Sequence, residues 1–316
     1  MSLDRASPRP THDLALLVVV LVWGINFPIL KHAVTVMHPF ALNVFRFLIS
    51  TLTMGAIVWS RSGGGRVGIW ELFRRHALRI VVLGLIGTLL YQWFFILGIA
   101  RTTAGTAALI MASAPAWTVL VGHLRGYEST SRITILGLAA SLGGTALIVF
   151  AGHDRISFGN ETLAGNVLIL GASMMWGTYT ALARPTIRYI PPLELSFVGL
   201  LVAMPFLLLL GAPHLGSILW ADVTPGIWLS ILYSGALSTG LAVVVWNVSV
   251  KHAGANYTAL FGNLVPIVAL ATGAIFLDEP ITRIQLVGGA MAIGGVVLMR
   301  LHGARAASRS RDEPPE

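Results

Sequence analysis

The polar and aromatic side chains of this sequence are suited to binding more than to catalysis. Trp23, Asn26, Phe27 and Leu30 follow the i, i+3, i+4, i+7 spacing of one helix face. Thr88, Tyr91, Gln92 and Phe95 repeat that spacing, and Thr106, Ile110, Ser113 and Trp117 form a third stripe. Trp176 with Tyr179, Trp246 with Asn247, and Asn263 add further indoles, a phenol and amides. Such groups recognise a small molecule by stacking and hydrogen bonding. Arg46 adds a planar fork that can grip a carboxylate. Nothing equivalent exists for bond breaking: there is no cysteine, no HExxH and no GxSG beside a buried His, so neither an enzyme, a metal site nor a cofactor is expected.

These residues lie in chain segments of unusual composition. Hydrophobic residues make up 55% of the 316, charged residues 11%, against about 25% charged in soluble domains. Runs near 20 apolar residues, the length that crosses about 30 Å of hydrocarbon as a helix, occur at 14–34, 39–59, 78–100, 104–123, 132–151, 163–183, 193–211, 227–250, 255–277 and 283–301. The expected fold is all-α and integral to a membrane, with ten transmembrane helices. Unpaired backbone cannot face lipid, and the runs are too continuously apolar for alternating barrel strands. Amides and indoles in these runs must then face inward, since an unpartnered amide in hydrocarbon is costly. Trp59, Trp70, Trp220 and Trp228 fall near run ends, where an interfacial belt is expected.

The charges set the orientation. With ten spans, sixteen Lys and Arg residues lie on the side of the termini and four on the other, leaving Arg46 inside a span. By the positive-inside rule both termini are cytoplasmic. The net charge of +8 is therefore a topology signal, and no nucleic-acid partner is needed to explain it. The polar stretches 1–13 and 302–316 read as cytoplasmic segments, the second as a disordered tail. All thirteen acidic residues and all nine histidines sit in loops, tails or span ends. A cavity between the helices is thus nearly uncharged, which disfavours lipophilic cations as solutes and leaves coupling to a proton open.

Residues 14–151 overlay residues 163–301. Trp23-Gly24 meets Trp176-Gly177 and Pro39 meets Pro192; after a two-residue gap Pro115 meets Pro266, Glu128 meets Glu279, Gly137 meets Gly288 and Gly144 meets Gly295. Five spans per half, an odd number, insert the second half upside down. Inverted repeats place a solute site at their interface near the bilayer midplane. Pro115 and Pro266 should kink their helices at matched points, as hinges or as packing features. The small residues Ala140, Gly144, Gly288 and Ala292 permit tight helix contact, expected to seal each half internally.

The segments "WGINFPILKHAV", "PFALNVFRFLIS" and "TAALIMASAPAWTVLVGHLRGYESTSRITILGLAASLGGTALI", with the echo "YTALFGNLVPIVALATGAIFLDEPITRIQLVGGAMAIGGVVL", resemble the two EamA domains of the drug/metabolite transporter superfamily, near its aromatic amino-acid exporter branch. Gly199 departs from the pattern by standing where Arg46 stands in the first half. The resemblance implies an inner-membrane exporter of amino acids or related metabolites. Its expected partners are a small-molecule solute and the lipid bilayer. Candidate solute contacts are Trp23, Asn26, Arg46, Tyr91, Gln92, Trp117, Trp176, Tyr179, Trp246, Asn247 and Asn263, with a structural role for Arg46 the favoured reading and solute contact the other. A nucleotide-sugar or phosphate-ester carrier and a drug exporter of the same superfamily are the alternatives. The first would want paired basic residues in the cavity.

Overall fold

The computed structural model describes residues 10–61, 67–126, 131–150, 160–187, 190–253 and 261–312. Its helices are α1 (Pro10–Val36), α2 (Pro39–Arg61), α3 (Val67–Gly84), α4 (Tyr91–Arg101), α5 (Ala104–Met111), α6 (Ala114–Leu124), α7 (Arg132–Phe150), α8 (Glu161–Thr186), α9 (Pro192–Gly211), α10 (Pro225–Leu232), α11 (Ala242–Ala253), α12 (Val265–Leu277) and α13 (Arg283–Asp312). Seven stretches are long and apolar enough to cross a membrane: Asp13–Val36, Pro39–Ser60, Trp70–Arg101, Ala104–Leu124, Arg132–Phe150, Pro192–His214 and Pro225–Trp246. α12 and Arg283–Met299 are shorter apolar helices, and α8 has ample length but carries Asn166, Ser173 and Trp176. Among the described residues these make ten passes of an integral membrane bundle. Many leucines, isoleucines and valines point outward, among them Leu52 at 73% exposed and Leu209 at 73%. An apolar surface so extensive belongs in lipid. Trp59, Trp70, Trp220 and Trp228 are likewise outward-facing near helix ends, as an interfacial belt requires.

Four passes are not regular α-helices. α3 joins α4 through π-helical turns at Leu85–Leu90, and α10 joins α11 through a longer π-helical stretch at Tyr233–Leu241. The fourth pass is broken between α5 and α6, and α12 begins after a matching break. Ser113 (φ −77°, ψ −10°) and Leu264 (φ −82°, ψ −19°) precede the restarted helices, and Pro115 and Pro266 lie in the first turn of each. The prolines therefore do not kink continuous helices. They open new ones, where a missing N–H costs nothing. The break also ends the stripe read from Thr106 to Trp117, because the 3.6-residue period does not carry through a non-helical turn. Thr106 is tied to Gln285 Nε2 at 2.9 Å, whereas Trp117 lies against α8 beside Gly177. A second correction concerns the C-terminus. α13 continues to Asp312, so residues 302–312 are helical, reflecting the high helix propensity of their alanines and arginines.

The halves meet along a pseudo-twofold axis. The strongest association is α7 against α13, and its contacts are reciprocal. A Cβ at Gly144 would stand 2.5 Å from the Gly288 carbonyl oxygen, and one at Gly295 would stand 2.4 Å from that of Gly137. The small residues thus join one half to the other instead of sealing each half. A second crossing obeys the same symmetry: Gly235 abuts the Arg46 backbone, and Gly84 abuts the Gly199 backbone, at 2.6 and 2.8 Å from a notional Cβ.

On the side opposite the termini, the His38 ring between α1 and α2 stacks on His214 with centroids 3.5 Å apart. Burial, then the neighbouring His214 and Arg101, holds the His38 imidazole below its ordinary value of 6.5. The Phe40 N–H donates to its Nδ1 at 3.3 Å, a bond that protonation breaks. Because the folded value is depressed, the contact is fully stabilising above about pH 6.5 and is lost as pH falls through the folded value. Thermal unfolding should therefore occur at lower temperature at pH 5.5 than at pH 7.5. His38→Phe, which keeps the stack without a proton site, should reduce that difference.

Candidate functional site

Two aromatic groups line the interior. Trp23 of α1 packs on Trp246 of α11, centroids 4.9 Å apart, and its Nε1–H donates to the Ser238 carbonyl at 3.0 Å. That carbonyl lies in the π-helical stretch, where the altered pitch opens the backbone to a side chain. The second group runs in a row: Phe27 against Phe95 at 5.6 Å, Phe95 against Tyr91 at 5.6 Å, Tyr91 against Trp176 at 5.1 Å, and Trp176 against Tyr179 at 5.5 Å. The row links α1, α4 and α8, hence both halves. The Tyr233 hydroxyl ties the π-helical stretch to α1 by donating to the Val22 carbonyl at 3.0 Å.

Seven buried side-chain atoms among the described residues have no hydrogen-bond partner. Asn26 Oδ1, Gln92 Oε1, Trp117 Nε1 and Asn263 Nδ2 are four of them. Each was singled out by sequence. A buried polar atom without a partner costs about 1–3 kcal/mol, so four in one bundle, next in sequence or packing to the tilted aromatic rings, describe a surface built to be completed by another molecule. Two are acceptors and two are donors. Asn263 sits at the turn before α12, and Gly262 beside it faces the Trp246 ring, so the helix break and the first aromatic group meet there.

Arg46 is 1% exposed. Its Nε–H donates to Ser234 Oγ at 2.7 Å, and a terminal N–H donates to Asn43 Oδ1 at 2.6 Å. Tyr91, in the aromatic row, lies within electrostatic range. No carboxylate pairs with it among the described residues. The neighbouring Asn43 Nδ2 and Ser50 Oγ are themselves without partners. Among the described residues the guanidinium is therefore hydrogen-bonded by neutral groups alone, through two of its five N–H donors.

Sequence spacing did not single out a role for Glu279. Its carboxylate leaves the second half and caps α5 of the first, accepting from the Ala104 N–H at 2.8 Å and the Gly105 N–H at 3.1 Å. A carboxylate at a helix N-terminus satisfies orphan donors and opposes the helix dipole. Lys31 is close enough to feel its charge and donates to the Ala100 carbonyl at 3.1 Å. The signal that could have found Glu279 was its repeat partner, Glu128, which lies outside the described residues. Glu279→Ala should destabilise the protein by about 1–2 kcal/mol, while Glu279→Gln, able to accept only one of the two bonds well, should fall between. Thermal melts of the purified variants check that order.

Of the other sequence candidates, Trp117 packs with its Cβ near Gly177, adjoining Trp176. Ser113, at the break, hydrogen-bonds Ser173 of α8 at 2.7 Å. The Asn247 side chain lies outside the described residues.

The model of the EamA-like transporter family matches residues 11–150 and again 163–301. A probable amino-acid metabolite efflux pump of Salmonella typhimurium is 28% identical over 297 residues, covering 90% of this chain and 93% of its own. A probable terminal-alkyne amino-acid exporter of Streptantibioticus cattleyicolor is 26% identical over 286 residues, covering 90% and 92%. A solved crystal structure, 19% identical, shares the fold with a TM-score of 0.63 over 93% of this chain and 99% of its own. With two matched repeats spanning nearly all of its length, this chain belongs to the EamA-like transporter family.

Proposed function

We propose that the protein exports neutral or zwitterionic amino acids, aromatic or otherwise bulky, across an inner membrane in which both termini face the cytoplasm. The observation that carries this reading is the set of unpartnered buried atoms beside the aromatic groups. Asn26 Oδ1 and Gln92 Oε1 accept, as an ammonium requires, while Trp117 Nε1 and Asn263 Nδ2 donate, as a carboxylate requires. Tyr91, Trp176, Trp23 and Trp246 supply stacking faces for an apolar side chain. Arg46 stands ready at the Tyr91 end for the carboxylate. The relatives named as a probable terminal-alkyne amino-acid exporter and a probable amino-acid metabolite efflux pump support the same solute class. Access would alternate as the halves rock, with the breaks ahead of Pro115 and Pro266 as hinges. Efflux of labelled phenylalanine, leucine, a sugar phosphate and a lipophilic cation from proteoliposomes tests the reading. Phenylalanine and leucine should move. Movement of the cation or of a phosphate ester with no amino-acid flux would overturn it.

A further inference from the structure

The halves differ where symmetry would have them alike. Arg46 and Gly199 occupy equivalent positions, each seven residues into its helix from Pro39 or Pro192, and each crosses a glycine of the partner pass, Gly235 or Gly84. In the first half the guanidinium fills the space beside that crossing and binds Asn43 and Ser234. In the second half the side chain is missing, and a small cavity lies there, lined by Leu83, Gly84, Thr88, Tyr179, Ser196 and Gly199. Ser196 is the repeat counterpart of Asn43, and Tyr179 of Asn26. The cavity is the arginine slot of the first half without its arginine.

The remaining polar atoms favour a particular occupant. The Ser196 hydroxyl donates to the Pro192 carbonyl at 2.9 Å, and Ser196 and Tyr179 also share a side-chain hydrogen bond. With the serine proton engaged at the Pro192 carbonyl, the phenol is left to donate in that bond, and a phenol oxygen that donates still has the lone pairs of an acceptor. Among the described residues the Thr88 hydroxyl has no hydrogen-bond partner. The slot therefore offers acceptors, one aromatic face and no fixed charge. Its room is about 10 Å³, enough for one water-sized group, which is the size of a primary ammonium and too small for a guanidinium. Tyr179 is also the terminal ring of the row that leads through Trp176 and Tyr91 toward Arg46.

We infer that this slot seats the primary ammonium group of the transported solute on the side of the membrane where the termini lie. The inference deepens the reading of the protein as an amino-acid exporter and rests on it for direction: solute arriving from the cytoplasm meets the slot first. Hydroxyl acceptors and the Tyr179 face hold the ammonium there on entry; the solute then leaves the slot along the row of rings, where Arg46 takes its carboxylate and Asn26 and Gln92 take over its ammonium. One half thus carries a built-in cation and the other a seat for the solute's own.

Phenylethylamine has the ammonium without the carboxylate, and 3-phenylpropionate the reverse, so thermal-shift titrations of the purified protein separate the two ends. Phenylethylamine should stabilise the wild type, and Thr88→Val/Ser196→Ala should weaken its apparent affinity about tenfold or more, the worth of hydrogen bonds to a charged group. The same pair should leave 3-phenylpropionate within about twofold. Gly199→Ala, whose methyl would meet nothing closer than Gly84 at 3.5 Å, should fold normally and reproduce the loss by occupying the slot. Gly143→Ala, in open space, should change neither ligand. The inference is overturned if phenylethylamine does not bind the wild type, if the slot variants leave its affinity intact, or if both ligands weaken alike. Phenylalanine flux in proteoliposomes is read separately. Flux with unaltered amine affinity in the variants removes the slot and keeps the exporter, whereas slot-dependent amine binding without amino-acid flux does the opposite.

Discussion

Arg46→Lys should yield a folded protein that moves amino acids at about a tenth of the wild-type rate or less. The guanidinium is buried, bonded to Ser234 and Asn43, and paired with no carboxylate among the described residues. A buried cation held only by neutral dipoles is costly, and the cost is offset if an arriving carboxylate completes the shell. Lysine keeps the charge but lacks the planar fork, is more strongly hydrated, and reaches Ser234 and Asn43 with different geometry. Arg46→Gln separates the two roles left open by sequence. If Arg46 only braces α2 against the π-helical stretch, glutamine, which can donate to the same oxygens, should restore transport. If it receives the carboxylate, glutamine should restore stability in thermal melts while KM for phenylalanine stays raised about tenfold or more. Unchanged transport in both variants would assign Arg46 to scaffolding.

The largest effect on folding is expected at the pseudo-twofold axis. Gly144→Leu places its Cβ 2.5 Å from the Gly288 carbonyl oxygen and 2.7 Å from the Ala292 nitrogen. Both are backbone atoms, so no rotamer change relieves the clash and α7 and α13 must separate. In lipid, where apolar burial drives association weakly, close backbone packing is a main source of helix–helix attraction. Overpacking costs about 1–3 kcal/mol and at times more, so the melting temperature should fall by on the order of 5 °C or more, with loss of monodisperse protein in detergent. Gly295→Leu should behave likewise. Gly143→Ala and Gly294→Ala, with nothing within 4 Å, should be neutral. Equal behaviour of the four variants in size-exclusion melts would contradict the reciprocal interface.

Much of this was legible in the residues themselves, and the reasons for the exceptions are physical. Apolar run length reports directly on the bilayer, so the passes could be read without tertiary information. The matched pairs Trp23 with Trp176 and Pro115 with Pro266 exposed the duplication because each half must solve the same packing problem. Asn26, Gln92, Trp117 and Asn263 stood out because amides and indoles inside apolar runs are costly wherever they face. Helical period, however, assumes a regular helix. It misread the stripe from Thr106 to Trp117 because the chain turns at Ala112-Ser113, and it could not register the π-helical turns after Gly84 and Leu232. Contacts made across the bundle leave no local trace either: Glu279 capping α5, Ser234 accepting from Arg46, and Gly144 meeting Gly288 in the other half. The polarity of residues 302–312 suggested disorder, but alanine and arginine favour helix once α13 has begun.

The central claim is a wetted, solute-binding interior between two inverted halves. Because the chain has no cysteine, single cysteines at Asn26, Gln92 and Asn263 can be tested in membranes with a small water-soluble thiol reagent, using Leu52→Cys as a lipid-facing reference. The account predicts that the three interior cysteines react while Leu52→Cys does not, and that phenylalanine slows the reaction at the interior positions. Uniform protection at all three, unaffected by phenylalanine, would show a sealed bundle and contradict it.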